Sequence, residues 1–297
     1  MSKEKTNKVR THPFVDKAPV VASILMAVLG LAIAQMGPQI FKAPFSKFSV
    51  SFDWIIGLIG LAVSTTLVLL LYKWWFRPDF SGMTAGNLTE GFMLLAPILA
   101  YWGISTGYSF IFERGLLSPR MSGHIIESAF TAGVLEELCF RGILVCTLLK
   151  VWHKKDAYIK AAIVSAVIFG LIHGINIIGG ANPGRTFVQV LDAGFLGLFL
   201  AAVFIRCGSV IPVMAAHSLH DIIALALPVD VSENGIITGA VTFSSYLDLI
   251  LSMCLGLVAI FLLRKSKCEE IRRIWDEKWN AADRPDATMN SKSGGFH

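Results

Sequence analysis

Two adjacent glutamates, Glu136 and Glu137, and an arginine, Arg141, lie inside an apolar run from about Ile125 to Leu149. One charge at the centre of a spanning helix costs roughly 2.5–3.5 kcal/mol on insertion scales. Three charges in six residues must therefore face protein or water rather than lipid, which points to function. Adjacent helix positions are about 100° apart, so the two carboxylates point in different directions. Arg141 shares a face with Glu137, and Glu before the cation at i, i+4 is the favoured order. Glu137 and Arg141 thus read as an ion pair. Glu136 is left without a local counter-charge and suits a general base. A purely structural network of all three charges is the alternative reading of the helix alone.

Two later apolar runs carry histidines. His173 lies four residues after Phe169, with Gly170 and Gly174 nearby to permit close helix approach. Taken alone, His173 also reads as an interhelical hydrogen bonder, with Asn176 as a possible partner. In His217-Ser218-Leu219-His220-Asp221, His217 and Asp221 are i, i+4 and share a face. An imidazole and a carboxylate so related orient each other, share a metal or hold a water. His220 points elsewhere and is a reserve candidate. Glu136, His173, His217 and Asp221 together are the parts of a hydrolytic site within a membrane. In one version Glu136, His173 and His217 hold Zn²⁺, whose water falls to a pKa near 7. In the other no metal is used: Glu136 and His173 activate water, and His217 and Asp221 stabilise the oxyanion. Asp221 could touch that oxyanion only as the protonated acid. The soluble zinc-protease motif HExxH is absent. A GxSxG string at Gly103–Gly107 lies inside an apolar helix, without the strand that a nucleophile elbow requires, so Ser105 is set aside.

These motifs resemble the CPBP family (CAAX protease and bacteriocin-processing, or Abi) of intramembrane proteases. EExxxR is matched by Glu136, Glu137 and Arg141, FxxxH by Phe169 and His173, and HxxxN/D by His217 and Asp221, in that order. The resemblance implies an eight-helix intramembrane endopeptidase. It implies that Glu136 and His173 activate water and that the third motif stabilises the oxyanion. Asp221 stands where CAAX-processing members typically have Asn, which departs from direct amide donation. Eukaryotic members cleave after prenylated cysteines, and bacterial relatives are linked to peptide maturation, immunity and membrane-anchored partners. The motifs do not carry the substrate with them.

The elements that must position these groups follow from composition. Hydrophobic residues make up 54% of the 297 and charged residues 16%, with mean hydropathy +0.63. Soluble domains carry about 25% charge, so the chain reads as an all-α polytopic membrane protein. Eight spans are expected, near 18–36, 54–76, 90–112, 124–149, 157–178, 185–206, 209–227 and 243–264. They form one intramembrane protease domain over 18–264 with its motif core at 124–227, between cytoplasmic tails 1–17 and 265–297. The net charge of +5 sits mostly in tails and short loops, which favours both termini inside a cell membrane. The lysines before the first span imitate a signal peptide, but the run is long enough to span and more spans follow.

The scattered cysteines form no CxxC and no disulfide framework. The absence of a basic patch with interleaved aromatics argues against nucleic acid. The expected partners are the bilayer and a peptide or membrane-anchored protein substrate. Ile271, Ile274, Trp275 and Trp279 form a stripe, read either as a helix on the inner membrane surface or as an extension of the last span. Residues 1–12 and 283–297 read as disordered. His124, Glu127 and Asp248 read as interfacial, and Asp192 as lining a cavity or bonding a neighbouring helix. Two rivals remain at this stage: a non-catalytic immunity or partner-binding protein, and a proton-coupled transporter.

Overall fold

The computed structural model of the chain describes residues 13–45, 53–76, 83–112, 122–152, 157–226 and 238–281, and every regular element among them is helical. The order is α1 (Pro13–Lys17), α2 (Pro19–Lys42), α3 (Asp53–Phe76), α4 (Leu88–Leu94), α5 (Ala96–Phe112) and α6 (Gly123–Glu137). A π-helical stretch, Leu138–Val145, joins α6 to α7 (Cys146–Val151). Then come α8 (Ala157–Ile172), a 3-10 turn at His173–Ile177, α9 (Pro183–Cys207), α10 (Ile211–Ala226), α11 (Phe243–Leu262) and α12 (Cys268–Ala281).

Among the described residues, six helical segments are long and apolar enough to cross a membrane: Pro19–Phe45, Asp53–Phe76, Leu88–Phe112, Ala157–Ile177, Pro183–Cys207 and Phe243–Leu262. The chain is an integral multi-pass membrane protein. The expected count of eight is not reproduced, for two reasons. The segment expected at 124–149 is helical throughout but is interrupted by the π stretch and holds Glu127, Glu136, Glu137 and Arg141. The segment expected at 209–227 is α10, which has 16 residues against the ~20 that a bilayer core requires. These two helices pack chiefly on each other, so neither needs the uniform apolarity of a lipid-facing span. The breaker residues Pro78, Ser118-Pro119 and Pro228, and the stretches 1–12 and 283–297 expected to be disordered, lie outside the described residues.

α9 is the axis of the bundle. It packs against α8 on one side and α11 on the other, and it is buried from Phe199 to Cys207. Gly208 ends it in the left-handed region, φ 69°, where its N–H reaches the Phe204 carbonyl at 2.8 Å. A residue with a Cβ resists that conformation, and the reversal it allows turns the chain directly into α10.

The tail helix corrects the membrane-surface expectation. Ile271 and Trp275 are buried against the protein, and the Trp275 indole N–H donates to the Ile205 carbonyl at 3.0 Å. The Trp275 and Phe204 rings meet edge to face at 5.4 Å. Lys278 donates to the Ala85 carbonyl. Buried Arg206 bonds Glu90 at 3.0 Å and Glu270 at 2.9 Å, tying α4, α9 and α12 together. The apolar stripe therefore seats α12 on the end of α9; the Trp279 side chain lies outside the described residues.

α6 approaches α10 closely through Gly133. A Cβ there would meet the Ser218 hydroxyl and backbone nitrogen and come within 2.8 Å of its Cα. Gly133→Ala is expected to destabilise the protein by about 1–3 kcal/mol through overpacking, read as a lower Tm in detergent. Gly103→Ala, where a Cβ meets nothing within 4 Å, is the matched control and leaves Tm unchanged.

Candidate active site

The site begins where α6 runs into the π stretch. A π turn opens the backbone ladder and is frequent at functional sites. Here all eight of its residues, Leu138 to Val145, are buried. Glu137, at the end of α6, and Arg141, inside the π stretch, are both 0% exposed. The guanidinium Nη1 donates to Glu137 Oε1 at 2.7 Å, and Nη2 donates to the Gly197 carbonyl of α9 at 2.9 Å. Its carbon lies 4.6 Å from the centre of the Phe169 ring. Gly197 makes this approach possible, because a Cβ there would sit 2.9 Å from Phe169 Cδ1 and 3.1 Å from Arg141 Nη2. The expected ion pair is present, and it is a bridge between helices rather than a local α6 feature.

Glu137 Oε1 also accepts from His217 Nδ1 at 2.8 Å, drawing α10 onto the same carboxylate. A carboxylate flanked by Arg141 accepts hydrogen bonds, so His217 carries a proton on Nδ1. Nε2 is then its working nitrogen. It lies 4.0 Å from Glu136 Oε2 and 3.7 Å from Asp221 Oδ1. Both separations are too long for a direct hydrogen bond, and the first admits a water between the two groups. Glu136 has no hydrogen-bond partner among the described residues, as its lack of a local counter-charge implied.

Phe169 joins the three motif segments. Its ring meets His173 at 5.1 Å and His217 at 5.7 Å, both edge to face, and packs on Phe140 at 5.1 Å. His173 stands at the end of α8, where the helix tightens into the 3-10 turn. Its Nδ1 is 2.8 Å from the Phe169 carbonyl. A carbonyl can only accept, so Nδ1 bears the hydrogen and Nε2 of the neutral ring keeps its lone pair. His173 forms no ion pair with Glu136 or Glu137 among the described residues; it joins the cluster through the Phe169 ring.

The zinc version does not find its ligand set. Glu136, His173 and His217 do not come together as a group of ligands, nor do any three His, Cys, Asp or Glu among the described residues. The Phe169 ring lies against both imidazoles, and each has spent Nδ1 on a protein acceptor.

Several neighbouring expectations are corrected. Asn176 donates to Gln189 of α9 at 3.2 Å rather than to His173. Asp248 accepts from Ser105 at 2.6 Å, joining α11 to α5. Glu127 is 4% exposed and pairs with Lys42 at 2.5 Å, while His124 reaches Asp53 at 3.1 Å. Gly197 was not singled out from the sequence, where it is one of 26 glycines with no motif around it.

Residues 121–223 match the family model described as type II CAAX prenyl endopeptidase Rce1-like. Over this stretch the chain is similar to that family. The stretch holds all three motifs and the whole of the cluster around Arg141, Phe169 and His217. No curated protein and no solved structure matches the chain. At family level, this similarity supports an intramembrane endopeptidase and a membrane-associated substrate.

Arg141 is the group whose loss exposes the most. Arg141→Ala strands Glu137 in a dry core, an uncompensated buried charge worth about 3–5 kcal/mol. The expected outcome is a sharply lowered Tm or no monodisperse protein in detergent. Arg141→Lys is expected to recover part of the loss, since one ammonium does not reproduce the planar fork to Glu137 and Gly197.

Proposed function

We propose that the cluster hydrolyses a peptide bond of a membrane-associated or lipidated peptide or protein, with Glu136 as general base. The observation that carries this reading is the split between the two glutamates. Glu137 is fully buried with its Oε1 taken by Arg141 and His217, while Glu136, next to it in sequence, has no hydrogen-bond partner among the described residues and lies 4.0 Å from His217 Nε2. A base must be within reach of a water, and Glu136, with its side chain 16% exposed, meets that condition where the fully buried Glu137 does not.

In the proposed reaction Glu136 takes a proton from water as the oxygen attacks the scissile carbonyl. His173 Nε2, bare because Nδ1 is held by the Phe169 carbonyl, orients the same water. His217 faces Glu136, Glu137 and Asp221 and acts as the imidazolium. In that form its Nε2–H donates to the oxyanion. Asp221 holds this charge in place rather than touching the oxyanion, which an ionised carboxylate would repel. Protonated Glu136 then delivers its proton to the leaving amine as the carbon–nitrogen bond breaks. No step uses a metal. The protease domain is taken as 18–264, with both tails cytoplasmic.

The test uses detergent-purified protein and a quenched fluorescent peptide ending in farnesyl-cysteine and three further residues, beside its unprenylated counterpart. Wild type is expected to cleave the prenylated peptide. Glu136→Gln and His173→Ala are expected to lower the rate by about 10²–10⁴-fold, the range of general acid–base catalysis, with Tm unchanged. Activity surviving both substitutions overturns the assignment. Protein dialysed against chelator and shown to be metal-free is expected to stay active. Activity that returns only with added Zn²⁺ would restore the metal version.

A further inference from the structure

His220 lies one residue before Asp221, about 100° away around α10 and off the face that meets Glu137. α5 holds it from two directions. The Trp102 indole N–H donates to His220 Nδ1 at 3.2 Å, and the Tyr101 ring lies 5.4 Å from the imidazole centre at 54°. Tryptophan has a donor and no acceptor. His220 Nδ1 must therefore present a lone pair, and the neutral ring carries its hydrogen on Nε2. This is the opposite tautomer from His173 and from the Glu137-bound edge of His217. Nε2–H has no partner among the described residues.

The surroundings show why that free donor has a use. α10 packs broadly on α6 but touches α5 and α9 only lightly. α5 and α9 both lean on α11 and scarcely meet each other. α5 thus meets α10 at few points, and Trp102 and Tyr101 against His220 are among them. Farther along, Ser105 of α5 donates to Asp248 of α11 at 2.6 Å, and Asp192 Oδ1 of α9 is shielded from solvent without a hydrogen-bond partner. An imidazole N–H left unpaired among membrane helices is costly unless water or a ligand completes it.

We propose that His220 is a substrate-positioning residue: its Nε2–H donates to a backbone carbonyl of the peptide substrate away from the scissile bond, with Trp102 fixing the tautomer. This rests on the endopeptidase reading above. It adds a peptide-binding donor on the α5 side of α10, outside the three motifs.

Two amide substitutions separate this role from simple packing. The glutamine side chain reaches the Nε2 position with a donor, whereas the asparagine side chain reaches only the Nδ1 position. With the farnesylated peptide, His220→Leu and His220→Asn are expected to raise KM about 10-fold with kcat within about 3-fold, the worth of one hydrogen bond to bound substrate. His220→Gln is expected to keep KM near wild type. Rescue by His220→Asn and not by His220→Gln would mean that His220 merely accepts from Trp102, and the proposal falls. Unchanged KM in all three variants also overturns it. Binding is measured separately, by fluorescence anisotropy of the same peptide on the Glu136→Gln protein. There His220→Leu is expected to weaken Kd about 10-fold. A peptide that binds in this His220-dependent way but is not cleaved by wild type would refute the hydrolytic reading and leave the positioning role standing. Absence of binding, or binding indifferent to His220→Leu, refutes the positioning role.

Discussion

A guanidinium with no exposure inside a membrane protein needs its charge answered at close range. Arg141 is answered by the Glu137 carboxylate, the Gly197 carbonyl and the face of Phe169. These come from α6, α9 and α8, and the His217 bond to the same carboxylate adds α10. Removing any partner leaves a charge or a polar atom in a region where water does not compensate. The arrangement of four helices therefore depends on this one ion pair, and with it the placing of every candidate catalytic group.

The pair also differentiates two chemically identical neighbours. Glu137 has its charge balanced and its Oε1 occupied twice. Glu136, one residue earlier, points off that face and is half-buried with its oxygens uncommitted. The structural burden and the chemical opportunity are thus divided between adjacent residues by the helical turn. The histidines are divided in the same way. His173 and His217 each commit Nδ1 to a protein acceptor, and His220 commits its Nδ1 to a donor, so the three rings present different faces to the interior.

The intramembrane polar groups sit beside glycines and aromatics rather than beside further charges. Gly133 lets α10 come close enough for His217 to reach α6, and Gly197 clears space for Arg141 and Phe169. Phe169 fills the centre of the cluster and touches both motif imidazoles. That ring is a reason the two histidines and Glu136 do not close into a metal-binding group.

The sequence by itself determined that the chain is helical and membrane-embedded, because apolarity sustained over some twenty residues has no other stable outcome. It also determined the Glu137–Arg141 pair and the shared face of His217 and Asp221, since both follow from local helical spacing. Tertiary structure alone decided what lies across helices. Glu137 bonds to His217, 80 positions away, and Arg141 to Gly197, 56 positions away. Neither separation has a periodicity to read. The span count depended on packing too: α6 through α7 and α10 shelter each other, so charge and shortness that would exclude them as lone spans are tolerated. The tail stripe was legible as an apolar face, but whether lipid or α9 would cover it was settled by the end of α9, where Ile205 offers a carbonyl to Trp275. Spacing along one helix fixes which residues share a face; only the folded bundle fixes what that face meets.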